Sequence, residues 1–282
     1  VSRVPDRVLM AFDLLEPLPA HVLEAMRLLD DLTSSAEAVA ETIGRDPVLA
    51  ARVLRLANSA LYMRARRVAT LREAVVLVGF GAVRSILVTA VAYDAFAPGA
   101  PGYGLDRVKM WQHALAVASV ARHLARARDL GGEGAFVAGL LHDIGKMALS
   151  HSLQEEYQAV LQAVQEGLDF AEAERRVLGW DHAQVGAEAA RRWNLPEALV
   201  RAIEYHHRPD ELPGPSLADA VHVADVFAVM LGFGVGTDQL MHRCSQAALQ
   251  RLGLSEEEIP LLLVVLADLL GEVTALSDLE YA

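Results

Sequence analysis

Two aspartates and five of the ten histidines in this 282-residue chain form a series whose residue types suit metal binding. His142 and Asp143 are adjacent and run into Ile144-Gly145-Lys146, with His113 upstream and His182, the pair His206-His207 and Asp225 downstream. Imidazole mixed with carboxylate suits borderline divalent ions such as Fe, Mn, Ni or Zn, and one carboxylate can bridge two of them. Each member has a plainer reading when taken alone. His113 fits a core histidine on an apolar helix, His142-Asp143 a hydrogen-bonded helix end, and Lys146 a solvated cation favoured by a helix C-terminus. Successive helical residues diverge by about 100°, so His206 and His207 need not both reach one ion, and both are kept as candidates. His21, His123, His151, His222 and His242 form no comparable series.

Successive candidates lie about one helix and its return apart, so a helical bundle could turn them all toward one centre. Capping boxes announce helix starts at Ser34 with Glu37, Thr70 with Glu73, Ser152 with Glu155 and Asp169 with Glu172. Pro47 and Pro196 suit first-turn positions, where a missing N–H costs nothing. Hydrophobic residues make up 53% and aromatic residues 6%, an Ala-, Leu- and Val-rich content that favours closely packed helices over sheet. No segment alternates as a strand does, and the predicted class is all-α. Pro98-Gly99-Ala100-Pro101-Gly102-Tyr103-Gly104 cannot continue a helix and marks the junction of two lobes. The expected units are a helical lobe over residues 1–97, a bundle carrying the candidate site over 98–232, and helices over 233–282 that pack back on the body. The proline-bearing stretch from Arg208 to Ser216 reads as a connection. Asn58 and Ser59 interrupt an apolar stripe and are expected to bond backbone in a turn. Gly79-Phe80-Gly81 lacks the third glycine and preceding strand of a dinucleotide loop, and is expected to turn the chain or to pack.

The formal charge of −12 repels phosphate backbones, so nucleic acid is not an expected partner, and Arg64, Arg66 and Arg67 read as a solvated turn. The single Cys244 precludes an intramolecular disulfide and points to a reducing compartment, the cytoplasm. From Val1 to Leu18 the chain carries Asp6, Asp13 and Glu16 where a secretory signal needs an apolar run. Ala74 to Tyr93 has the length and apolarity of a bilayer span, but Arg84 in its middle and the glycines at 79 and 81 favour two buried helices, with no membrane partner.

His142-Asp143 with Gly145-Lys146, preceded by His113 and followed by Asp225, resembles the HD-domain pattern of metal-dependent phosphohydrolases. His182 and His206-His207 resemble the additional ligands of HD-GYP phosphodiesterases. Two departures count against hydrolysis of cyclic di-GMP: Arg208-Pro209-Asp210 stands where Gly-Tyr-Pro would follow, and Lys109 stands where an acidic ligand would precede His113. Leu18-Pro19, Asp46-Pro47-Val48-Leu49, Leu54-Arg55-Leu56-Ala57-Asn58-Ser59-Ala60, Ala74 to Gly79, Trp111-Gln112-His113, Gly179-Trp180-Asp181-His182, Val185-Gly186 and Trp193-Asn194-Leu195-Pro196 occur in the order typical of HDOD proteins. The chain is thus similar to that signalling-associated branch of the HD superfamily from about residue 15 to residue 230. The resemblance implies a bacterial regulatory interaction module with signalling-protein partners that keeps an HD-type site for one or two divalent ions. It implies as the alternative a phosphohydrolase or phosphodiesterase acting on a nucleotide, cyclic nucleotide or other small phosphorylated ligand. In that enzyme Asp143 would bridge the ions and Lys146 would bind a phosphate oxygen.

Overall fold

The computed structural model describes residues 15, 18–31, 33–59, 61–62, 67–152, 154–234 and 244–279. Helix follows helix: α1 (Ala20–Asp30), α2 (Ala36–Gly44), α3 (Pro47–Ala57), α4 (Leu71–Val78), α5 (Phe80–Ala95), α6 (Arg107–Arg126), α7 (Gly132–Leu141), α8 (Ile144–Ser152), α9 (Gln154–Gln165), α10 (Phe170–Leu178), α11 (His182–Arg192), α12 (Glu197–Tyr205), α13 (Leu217–Met230), α14 (Gln246–Arg251) and α15 (Ile259–Leu279). Among the described residues there is no strand, only an isolated antiparallel bridge between Ala100 and Leu105. The all-α expectation holds.

Local chemistry sets the helix starts. Asp46 caps α3 through Val48 N–H and Leu49 N–H, with Pro47 in the first turn as expected. Thr70 accepts Glu73 N–H and Asp169 accepts Glu172 N–H, so both caps stand where expected, while the Glu73 carboxylate accepts Ala69 N–H rather than Thr70 N–H. Two expectations shift by one position. The cap of α2 is Ser35 rather than Ser34, because Ser35 accepts Ala38 N–H, and Pro196 is itself the cap residue of α12 rather than its first turn. The side chains of Ser152 and Glu155, and Arg64 and Arg66 of the basic turn, lie outside the described residues; Arg67 is exposed.

The apolar stretch from Ala74 to Tyr93 divides at Gly79, whose φ of 86° is a left-handed conformation open to glycine and strained for most other residues. It therefore forms two helices, α4 and α5, as expected, although Val76 and Leu77 leave α4 partly exposed rather than buried, and no helix among the described residues is long and apolar enough to cross a membrane. Asn58 closes α3: its amide donates to Leu54 O and Val68 O and its carbonyl accepts Val68 N–H, while Ser59 Oγ donates to Leu56 O.

Helices α1 to α5 pack on one another, and α5 carries their main contact with the rest of the chain by lying on α7. In the second group α6 is the central helix, packed against α7, α13 and α15, while α8 and α12 flank α11. Between the groups, residues 96–106 form a closed loop with a 3-10 turn at Pro101–Tyr103, seated on α8. Helix α14 packs on α13.

Candidate metal centre

The seven candidate residues come from five places in the bundle. His113 lies inside α6 and Asp225 inside α13, both on buried faces. His142 and Asp143 occupy the break between α7 and α8, His182 opens α11 behind the cap of Asp181, and His206-His207 follow the end of α12. Backbone proximity brings α8 and α11 together. A Cβ on Gly145 would lie 2.0 Å from His182 O and 2.8 Å from Gly186 N, so only glycine permits this approach.

Asp143 is the common neighbour. Its Oδ2 is 3.6 Å from His113 Nε2 and 3.3 Å from His142 Nε2, and its Oδ1 is 3.4 Å from His182 Nε2 and 3.9 Å from His206 Nε2. Asp225 Oδ1 lies 3.2 Å from His113 Nε2 and 3.9 Å from His142 Nε2. His207 Nε2 is 2.8 Å from His182 Nε2. Both His206 and His207 reach the cluster. They follow Tyr205 at the end of α12, with ring centroids 4.0 Å apart.

The rings are turned by what holds their outer nitrogens. His113 Nδ1 donates to Phe233 O at 3.2 Å, His142 Nδ1 to Gly139 O at 2.7 Å, His206 Nδ1 to Ile203 O at 2.7 Å, and His182 Nδ1 to Glu174 Oε2 at 2.7 Å. A neutral imidazole that donates from Nδ1 presents a lone pair at Nε2. In their neutral forms the four rings thus aim four such lone pairs at one carboxylate. His142 Nε2, His206 Nε2 and Asp143 Oδ1 are buried and make no hydrogen bond. Buried polar atoms left in this way are costly unless something pairs with them, and a pair of divalent cations would serve all three.

Electrostatics divides the same set. Burial, the largest influence, works to raise the Asp143 carboxyl, but His142 and Lys146 overcome it and hold the group well below the usual carboxylate range. Burial, reinforced by His142 and His182, pushes His206 well below the ordinary imidazole value, which keeps it neutral. Burial also works to lower His113 and His182, but Asp225 and Glu174 respectively outweigh it and raise them. Lys146, itself buried, donates to Asp143 Oδ2 at 2.6 Å. The ligand-capable atoms fall into overlapping groups, Asp143 with His182, His206 and His207 on one side and His113, His142 and Asp143 on the other, while His142, His206 and Asp225 also converge. Lys109, one turn before His113, is exposed.

Three supporting residues escaped the sequence reading. Glu174 grips His182, Tyr103 donates its hydroxyl to Glu174, and His222 Nδ1 donates to His206 O at 2.7 Å. One signal was available for Glu174: it lies four residues after Phe170, on the stripe that continues to Leu178, where a helix buries apolar residues.

Residues 15–209 match the HDOD domain. A Treponema pallidum protein without an assigned function is 28% identical over 223 residues, 75% of this chain and 40% of that one. Ribonuclease Y of Aquifex aeolicus is 32% identical over 106 residues, 38% of this chain and 14% of the enzyme. The chain thus spans less than half the length of these curated relatives. Two solved structures share the fold over nearly their whole lengths. An HDOD domain protein of unknown function from Geobacter sulfurreducens aligns with a TM-score of 0.74 at 29% identity, covering 96% of this chain and 97% of that one. A Shewanella amazonensis protein provisionally named a phosphohydrolase aligns with a TM-score of 0.76 at 28% identity, covering 97% of both.

Proposed function

This chain belongs to the HDOD family, and on that premise we propose that it is a cytoplasmic regulatory module that binds signalling-protein partners and carries a divalent-metal centre at the heart of its second lobe. Its units would be residues 1–97, 98–232 and 233–282. His113, His142, Asp143 and Asp225 would hold one ion, and Asp143, His182, His206 and His207 a second, with Fe, Mn, Ni or Zn all suited to that donor set. The observation that carries the proposal is the convergence of four oriented Nε2 atoms on Asp143, three of the atoms there being buried without a hydrogen bond.

Burial favours a holding role over turnover. Structural metal sites are closed by protein ligands, whereas catalytic ones keep a position open to water or substrate. His142, Asp143, His182 and His206 are each at most 1% exposed, and Lys146, which an enzyme would turn toward phosphate, is buried and paired with Asp143. Asp143 then separates the two sets of imidazoles while Lys146 balances its charge. Exposed Val48, Val76 and Leu77 on α3 and α4 give the first lobe apolar surface suited to a protein partner.

A second reading, a phosphohydrolase or phosphodiesterase acting on a nucleotide or cyclic nucleotide, is favoured by the partial exposure of His207 at one edge of the cluster and by the provisional name of the Shewanella relative. In that case bound metal would supply a water activated as nucleophile and charge neutralisation at phosphorus. A screen of phosphoesters and cyclic dinucleotides with metal-loaded protein separates the two. The module predicts no turnover above that of Asp143→Ala. Cleavage at ordinary enzymatic rates that is lost in Asp143→Ala would replace it with the hydrolase.

A further inference from the structure

We propose that Glu174 and Tyr103 are positioning residues for the His182 side of the centre, and that through Tyr103 the loop between the two lobes is built into that side. The inference rests on the metal-site reading above and adds to it which residues outside the ligand set control the second ion.

Glu174 is fully buried, and its oxygens divide their partners cleanly. Oε2 accepts both the backbone N–H of His182, at 2.9 Å, and its ring Nδ1–H, at 2.7 Å. Oε1 accepts the hydroxyl of Tyr103 and, at 3.4 Å, that of Tyr157. One oxygen therefore grips the backbone and the ring of the same residue, which fixes where α11 begins and which way the His182 imidazole faces. With Nδ1 committed, the lone pair of Nε2 is directed at Asp143 Oδ1 and His207. A buried carboxylate is costly, and packing alone would be served as well by an apolar side chain. Orientation of a ligand histidine by a carboxylate, which also raises the basicity of the ring, accounts for its presence.

Tyr103 completes the grip from outside the ligand-bearing helices. It belongs to the 3-10 turn of the interlobe loop, is fully buried, and packs its ring against Tyr157, Phe170 and His182 with centroids 5.0, 5.0 and 6.1 Å away. The loop around it is closed by reciprocal hydrogen bonds between Ala100 and Leu105 and pinned to α8 by Gly102 N–H donating to Ser150 Oγ at 2.7 Å. Lys146 Nζ lies 5.4 Å from the centre of the Tyr103 ring, within reach of a cation–π contact. The loop thus touches both Lys146 and the Glu174–His182 pair. It also joins α5, the first-lobe helix seated on α7, to α6, which carries His113. A displacement of α5 that pulled on the loop would act first on Tyr103 and then on His182.

The test titrates cobalt(II) into the intact, metal-free chain and follows binding calorimetrically and by the visible spectrum of the ion. The wild type is expected to bind in two steps, one of which is lost in His207→Ala. Glu174→Gln is expected to weaken that same step by about 100-fold and Tyr103→Phe by about 10-fold, in the range typical of partners behind a ligand, with the other step unchanged. Tyr103→Phe removes one hydroxyl and keeps the ring packing, so it decides the matter even if Glu174→Gln does not fold. Variants that titrate as the wild type, or that weaken both steps equally, would overturn the proposal and leave the metal site standing. A wild type that takes up no cobalt would overturn the metal site and this proposal with it.

Discussion

The interiors of the two lobes are furnished differently. Among the described residues from α1 to α5 the buried polar ones are Thr42, Ser59, Ser85 and Thr89, all hydroxyls. Ser59 and Thr89 return their protons to nearby backbone carbonyls, and Ser85 reaches Glu133 on α7. From α6 to α13 the interior holds, besides the hydroxyls of Ser119 and Ser150, a dozen ionisable groups: His113, Arg122, His142, Asp143, Lys146, Glu174, Asp181, His182, His206, Asp219, His222 and Asp225. A hydroxyl bonded to its own helix costs little to bury, whereas a cluster of ionisable groups is stable only when its members satisfy one another or a bound ion. The contrast teaches that a packed helical lobe needs no such groups, so their concentration in the second lobe marks where function departs from packing.

The severest way to break the contrast is to crowd the second lobe at its backbone. Gly145→Ala would drive a methyl group into His182 O, and since neither partner is a flexible side chain, a loss of more than about 3 kcal/mol is expected, read as failure to fold or a collapsed melting transition. Asp143→Ala comes next: it strands Lys146 without its carboxylate and leaves the imidazoles without their shared neighbour. Metal-free protein should lose about 3–5 kcal/mol in denaturant unfolding. In the first lobe the effects should be those of ordinary turns and caps. Asn58→Ala removes the bridge between the end of α3 and Val68 and should cost about 1–3 kcal/mol. Thr70→Ala should cost about 1 kcal/mol through the lost cap of α4. Neither should change metal uptake. A first-lobe cap whose removal emptied the centre would erase the distinction between the lobes.

Much of this could be read from the chain because its signals are local. Asp46-Pro47 and Thr70 announce helices by hydrogen bonds within four residues, and Gly79 divides an apolar stretch by a backbone angle of its own. The metal-site candidates were legible as a set because imidazole and carboxylate recur at helix-sized intervals. What stayed hidden depends on contacts distant in sequence. Glu174 sits among Glu172, Arg175 and Arg176 and looks like one more surface charge until Tyr103, 71 positions upstream, is seen against it. His222 formed no series with the candidates in the sequence, since its tie to the site runs through the backbone carbonyl of His206. The one-residue misplacement of the α2 cap, Ser34 for Ser35, is of a different kind: adjacent serines offer the same chemistry, and packing selects between them.

The central claim is that the imidazoles and carboxylates of the second lobe are arranged around divalent metal, and the most direct measurement of it is the metal content of protein purified without added ions. Wild-type chain should retain one or two equivalents of a divalent transition metal, and Asp143→Ala should retain at least one fewer. Wild-type protein that emerges metal-free and stays so when Fe, Mn, Ni or Zn is supplied would contradict the claim.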